Sequence, residues 1–192
     1  YAAHSWELFG FRSWMVAFLV AAAALPAGAD LAPITWIATA ILLLGVPASI
    51  LGNEAALRFG RRRALTAIML ASAACAGAIG FLPGLPFALI VGVAAVYGVL
   101  VMADSASLTV GAVTSADPMA KGATLGLHAT LGFAGAFFGP LAFGAVLDLA
   151  GGSGRLAWGL AFASLGAVVL LGPLALRWAD LDRPAAAPPP AS

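Results

Sequence analysis

The chain has 192 residues, of which 62% are hydrophobic and 9% charged, and its mean hydropathy is +1.04. A soluble domain carries roughly 25% charged residues, so a water-solvated fold of this size, with nowhere to hide so much apolar surface, is excluded. The net charge of +1 says nothing by its size; only the placement of the charges is informative.

A helix needs about 20 apolar residues to cross the hydrocarbon of a bilayer. Six stretches qualify: about 4–25, 33–54, 62–82, 86–112, 119–148 and 155–177. The first begins within helix-like text at Tyr1, with no initiator Met and no cleavage pattern before it. The N-terminus is therefore expected to be cut within a longer chain, and a signal peptide is not expected. Turn chemistry separates the stretches. Pro26-Ala27-Gly28-Ala29-Asp30 closes the first, and the basic run from Arg58 to Arg63 closes the second. Pro83-Gly84-Leu85-Pro86 closes the third, and Gly151-Gly152-Ser153-Gly154 the fifth. Between the fourth and fifth, Ala116-Asp117-Pro118 offers an N-cap and a proline at the first helical position, so a helix is expected to start there. No segment alternates polar and apolar residues as a membrane β-barrel strand would. The expected fold is an all-α integral membrane protein: a six-helix transmembrane bundle over residues 1–182, followed by a Pro/Ala-rich tail, 183–192, too poor in apolar side chains to bury a core. The single Cys75 excludes a disulfide framework and a cysteine metal cluster.

Basic residues give the orientation. Arg58, Arg61, Arg62, Arg63, Lys121, Arg177 and Arg183 fall on one side of a six-span zigzag, and only Arg155 falls on the other. By the positive-inside rule the Arg-rich turn and the C-terminus are cytoplasmic, in a multi-pass protein of the cell's inner (plasma) membrane.

Between the second and third stretches the chain reads Gly52-Asn53-Glu54-Ala55-Ala56-Leu57-Arg58-Phe59-Gly60-Arg61-Arg62-Arg63. This resembles the cytoplasmic loop signature of the major facilitator superfamily, in which a glycine and an acidic residue precede Arg-x-Gly-Arg-Arg in a tight turn between helices. Arg58, Gly60, Arg61 and Arg62 match. Leu57 stands at the family's acidic position, and Gly52 is one residue out of register. Glu54 lies four residues before Arg58, the favourable order for a helical ion pair. Such a departure fits the degenerate copy in the second half of a transporter of this family. Gly135-Ala136-Phe137-Phe138-Gly139-Pro140 is similar to the family's Gly-x-x-x-Gly-Pro helix motif. There Gly135 and Gly139 would let a neighbouring backbone approach, and Pro140 would loosen the hydrogen-bond ladder enough for a bend. The opening Tyr1-Ala2-Ala3-His4-Ser5-Trp6-Glu7-Leu8 resembles the seventh helix of bacterial members. The resemblance spans nearly the whole chain and implies helices seven to twelve of a twelve-helix fold, with an N-terminal six-helix half as partner. No repeat between residues 1–82 and 86–177 is legible; inverted repeats of transporters are detectable only weakly in sequence.

Three ionisable residues interrupt the apolar runs. Asp104 lies about 18 residues from the outer end of its span, about 27 Å along a helix. Glu7 and His128 come out at nearly the same level, toward the cytoplasmic third. An unpaired charge at such depth costs at least ~2.5–3.5 kcal/mol, so these groups are expected to face a cavity or one another. Tyr97, Asp104, Ser107 and Gly111 share a stripe on the fourth span. Lys121, Thr124, His128, Gly132, Gly135 and Gly139 share one on the fifth. An antiparallel hairpin of these two helices would bring Asp104 to His128, and such a pair could bind and release protons near neutral pH. The structural alternative makes Asp104 a hydrogen-bonding residue at a helix bend and His128 a packing residue. His4 and Glu7 share a face of the first span, while Arg12 points about 140° away from Glu7 and needs its own partner or a route to the headgroups. Trp6 and Trp14 fit an interfacial belt better than a substrate box.

The leading expectation is a secondary transporter of small solutes working by alternating access, or the C-terminal half of one. A homodimeric half-sized channel or exporter is the alternative. An intramembrane hydrolase is disfavoured: the only candidate nucleophile text, Gly152-Ser153-Gly154, is in an outer turn, far from both histidines. No catalytic residue, cofactor, metal site or nucleic-acid partner is expected; the partners expected are the lipid bilayer, a small-molecule substrate and the other half. Two or three acids with one arginine suit organic anions, cations or drugs alike.

Overall fold

The computed structural model describes residues 1–25 and 28–178. Pro26 and Ala27 of the expected first turn, and the 183–192 tail with Arg183, lie outside them. Among the described residues the secondary structure is helical throughout: α1 (Ala2–Ala22), α2 (Ala32–Leu43), α3 (Gly45–Phe59), α4 (Arg61–Ile79), α5 (Phe87–Ala103), α6 (Ser105–Ser115), a 3-10 turn (Pro118–Ala120), α7 (Lys121–Leu149), α8 (Arg155–Val169) and α9 (Leu171–Trp178). Helices thus occupy all six apolar stretches.

Several join end to end into longer rods. Among the described residues five helical rods are long and apolar enough to cross a membrane: Ala32–Phe59, Arg61–Ile79, Phe87–Ser115, Pro118–Leu149 and Arg155–Trp178. α1 is the exception among the six expected. Its 21 residues suffice in length, but His4, Ser5, Glu7 and Arg12 dilute its apolar character. The fold accommodates this by burying His4, Ser5 and Glu7 in the bundle. Phe11, Met15, Phe18 and Leu19 of α1 enter one core with side chains from α2, α4, α5, α7 and α8. Aromatic rings fill its middle, with Phe18, Trp14 and Phe143 grouped about Trp158 and Phe162 of α8.

Two of the joints have a legible cause. Pro47 lacks the N–H that would bond Leu43, and the rod breaks at Leu44; Pro173 stands in the same relation to the break at Leu170. The joint at Asp104 has no proline after it. Pro140, expected to permit a bend, sits inside an α7 that runs through it as one helix, and Trp14 Nε1 donates to the Pro140 carbonyl at 3.0 Å. The α3–α4 turn is shorter than the sequence suggested. Helix continues through Arg58 to Phe59, and Gly60 alone reverses the chain at φ +89°, where a side chain would be strained. Asp117 caps as expected, its carboxylate accepting from Met119 N at 2.8 Å.

The basic residues gather at one end of the bundle. Arg61 Nη1 donates to Thr114 of α6, and Arg62 reaches the Arg177 carbonyl of α9. Arg155 opens α8 at the opposite end, since α8 packs antiparallel on α4 with Trp158 beside Gly80 and Gly166 beside Ala73.

Candidate functional site

α1 carries the polar centre on one face of its first two turns. Glu7 is 1% exposed, and its Oε1 accepts from Ser72 Oγ of α4 at 2.9 Å and from Tyr97 Oη of α5 at 3.0 Å. One turn earlier, His4 Nδ1 lies 2.7 Å from Asp104 Oδ1, with both residues buried. The contact is close but does not meet the geometry of an aligned hydrogen bond. Ser107, a turn beyond Asp104, is fully buried with Oγ lacking a hydrogen-bond partner among the described residues. Tyr97 is sealed in the aromatic core, its ring 4.6 Å from that of Phe11. Three helices, α1, α4 and α5, therefore converge on one carboxylate, and the α5–α6 joint supplies a second.

His128 does not meet Asp104. Its Nε2 is 3.4 Å from Thr109 Oγ1, and its ring stacks on Tyr1 at 3.6 Å between centroids. The α6–α7 hairpin pairs His128 with a residue five positions beyond Asp104, about 7 Å farther along the helix. Counting depth from the outer end of each span missed that offset. The space Asp104 was expected to share with His128 is filled from α1 by His4. Around the Tyr1–His128 stack lie two openings, of about 190 Å³ beside Ser5, Thr109 and Phe133 and about 490 Å³ beside Trp6, Phe138 and Leu171.

The other candidates scatter. Arg12 is exposed over the Phe9 ring and lines a separate apolar cleft with Thr39 and Met102; no carboxylate among the described residues lies within 4.0 Å of it. Trp14 is partly buried against the aromatic core, with its Nε1 donating to the Pro140 carbonyl. The expected Glu54–Arg58 ion pair is not formed; Arg58 lies over the Phe59 ring instead, 5.4 Å from its centroid. Gly135 and Gly139 do face a backbone. A Cβ at either would stand 2.4 Å from the carbonyl oxygen of Ala2 or of Trp6.

Ser72 was missed in the sequence, although a lone hydroxyl within a run of small and apolar residues is a recognisable sign. Among the described residues no group of three or more His, Cys, Asp or Glu could hold a metal ion. Compared with known proteins, the chain matches no family model, no curated protein and no solved structure.

Proposed function

We propose that this chain is the C-terminal six-helix half of a secondary transporter of the major facilitator type, moving a small solute by alternating access with proton coupling. One observation carries the reading: two buried carboxylates, Glu7 and Asp104, are held by specific partners at the centre of a bundle whose surrounding rods are apolar enough to span a membrane. Ionisable groups inside a membrane are costly and are found where protons, ions or substrates pass. α1 is the sixth span in this reading, with His4, Ser5 and Glu7 turned into the bundle while Phe9, Arg12, Ala17 and Ala21 form an outward stripe. Oε1 of Glu7 is committed to Ser72 and Tyr97, so a transported proton would bind at Oε2. The proton would exchange with the neighbouring His4–Asp104 pair one helical turn away. The joints at Leu44, Asp104 and Leu170 are places where rods can flex while the α1–α7 contact stays fixed. The exposed phenylalanines of α7, among them Phe133 and Phe137, are surface for the N-terminal half or for lipid.

Reconstituted in vesicles with its other half, the protein is expected to accumulate solute when a pH gradient is imposed and only to equilibrate it when the gradient is collapsed. Accumulation that ignores the gradient would remove proton coupling, and permeation without saturation would favour a channel. Orientation is tested apart from transport. A single cysteine at position 62, with Cys75 replaced by Ala, is expected to resist a membrane-impermeant thiol reagent in intact cells and to react in inverted vesicles. Labelling from outside would reverse the topology.

A further inference from the structure

We propose that the pocket between the α3–α4 turn and α9 binds the phosphate headgroup of an anionic phospholipid. The pocket has a volume of about 850 Å³ and is lined by Arg62, Arg63 and Arg177, with Thr66 beside them and Leu70 and Pro173 on its wall. Arg61 is spent elsewhere, packed on Gly111 and donating to Thr114. The other three guanidiniums have no such use. Arg62 reaches only a carbonyl, that of Arg177, at 3.5 Å. Among the described residues none of the three has a carboxylate within 4.0 Å, and the first turn of α4 holds no acidic residue.

Three like charges converging on one opening repel one another unless an anion lies between them. Guanidinium forks suit phosphate oxygens bidentately. A free phosphate would satisfy the charge but not the rest of the lining. Leu70, Ala67 and Pro173 offer an apolar wall beside the arginines, which suits a headgroup whose acyl chains continue along α4 and α9. Trp178, almost fully exposed one residue after Arg177, is an aromatic of the kind that sits at headgroup level. Basic pockets between membrane helices on the cytoplasmic side bind anionic headgroups in this way. The inference rests on the membrane-spanning reading and not on transport, and a detergent binding assay is independent of which way the chain faces.

The test uses the purified full-length protein in a neutral detergent, titrated with phosphatidylglycerol, with phosphatidylcholine and with inorganic phosphate, and read by native mass spectrometry and thermal unfolding. Phosphatidylglycerol is expected to remain bound and to raise the Tm, while phosphatidylcholine does neither. Replacing Arg62, Arg63 and Arg177 together by Gln is expected to weaken phosphatidylglycerol binding about a hundredfold, each arginine contributing about fivefold. Arg155→Gln, at the other end, changes the net charge equally per residue and is expected to leave binding intact. Should the triple variant fold poorly, the corresponding Lys variant keeps charge without the fork and is expected to bind with intermediate strength. Equal retention of both lipids, or unchanged selectivity in the triple variant, overturns the site. Inorganic phosphate giving the full stabilisation at equal concentration overturns the lipid and leaves a small-anion pocket.

Discussion

Gly135→Leu and Gly139→Leu are each expected to unseat α7 from α1 and to cost more than about 3 kcal/mol of stability, beyond the usual overpacking range because backbone cannot yield as a side chain does. The Cβ alone would lie 2.4 Å from the Ala2 or Trp6 carbonyl oxygen. A leucine adds three further carbons at the same point. In lipid the loss is not offset by hydrophobic burial, because acyl chains are as apolar as the side chains; contact quality is what holds membrane helices together. Gly52→Leu should be at least as severe, since its Cβ would fall 1.8 Å from the Ala103 carbonyl oxygen at the α3–α5 crossing. Gly126 supplies the contrast. It lies on the same α7 with nothing within 4 Å, so Gly126→Ala is expected to be neutral or to gain up to about 1 kcal/mol from helix propensity. Thermal unfolding and gel-filtration profiles in detergent separate the two groups. Gly135→Leu and Gly139→Leu unfolding at the unsubstituted temperature would mean that α7 does not rest on these glycines.

That stripe was readable because small residues at four-residue spacing have one plain use in a helix. The helical rods were readable for a similar reason: long apolar runs leave few other solutions, and the turns between them carry proline, glycine and aspartate. Asp117 is the clearest case, an N-cap and proline pair that acts as its chemistry requires. The extent of the α3–α4 turn was less legible, because Asn53 and Glu54 look like loop residues although nothing in them stops a helix; only Gly60 does. Pro47 and Pro173, each three residues after its break, account for the joints at Leu44 and Leu170, which the single spans 33–54 and 155–177 did not anticipate. Side-chain partners are another matter. Depth along a span says at what level a residue lies, and it does not say which helix stands beside it. Glu7 meets Ser72 and Tyr97 because its side chain points to where α4 and α5 pack on each other, a lateral arrangement on which the sequence is silent. Asp104 meets His4 and not His128 because the α6–α7 hairpin is offset by more than a turn. The polar load of α1 was visible throughout. Its consequence, that His4, Ser5 and Glu7 must turn into the bundle, follows once five rods among the described residues are found apolar enough for lipid and α1 is not.

Glu7→Gln and Asp104→Asn are expected to abolish gradient-driven accumulation, by about tenfold or more, while leaving solute exchange across the membrane intact. Both substitutions keep the shape and an acceptor oxygen. Gln at position 7 can still accept from Ser72 and Tyr97, so the bonds at 2.9 and 3.0 Å need not be lost, and Asn at 104 keeps an oxygen facing His4. What disappears is the ability to take up and release a proton. Leucine distinguishes a structural role. Glu7→Leu leaves the Ser72 and Tyr97 hydroxyls buried without an acceptor, each costing about 1–3 kcal/mol, and is expected to lower the Tm whichever role is correct. The two carboxylates should also differ from each other. Asp104 lies at the α5–α6 joint, where its contact with His4 ties α1 to the break between the two helices; Glu7 lies within unbroken helices on all sides. His4→Gln is therefore expected to slow exchange as well as accumulation, because it frees Asp104 and with it the joint. Accumulation and exchange are measured in the same vesicles, with and without a pH gradient. Full gradient-driven accumulation by both Glu7→Gln and Asp104→Asn would reduce the pair to structural residues and end the case for proton coupling at this centre.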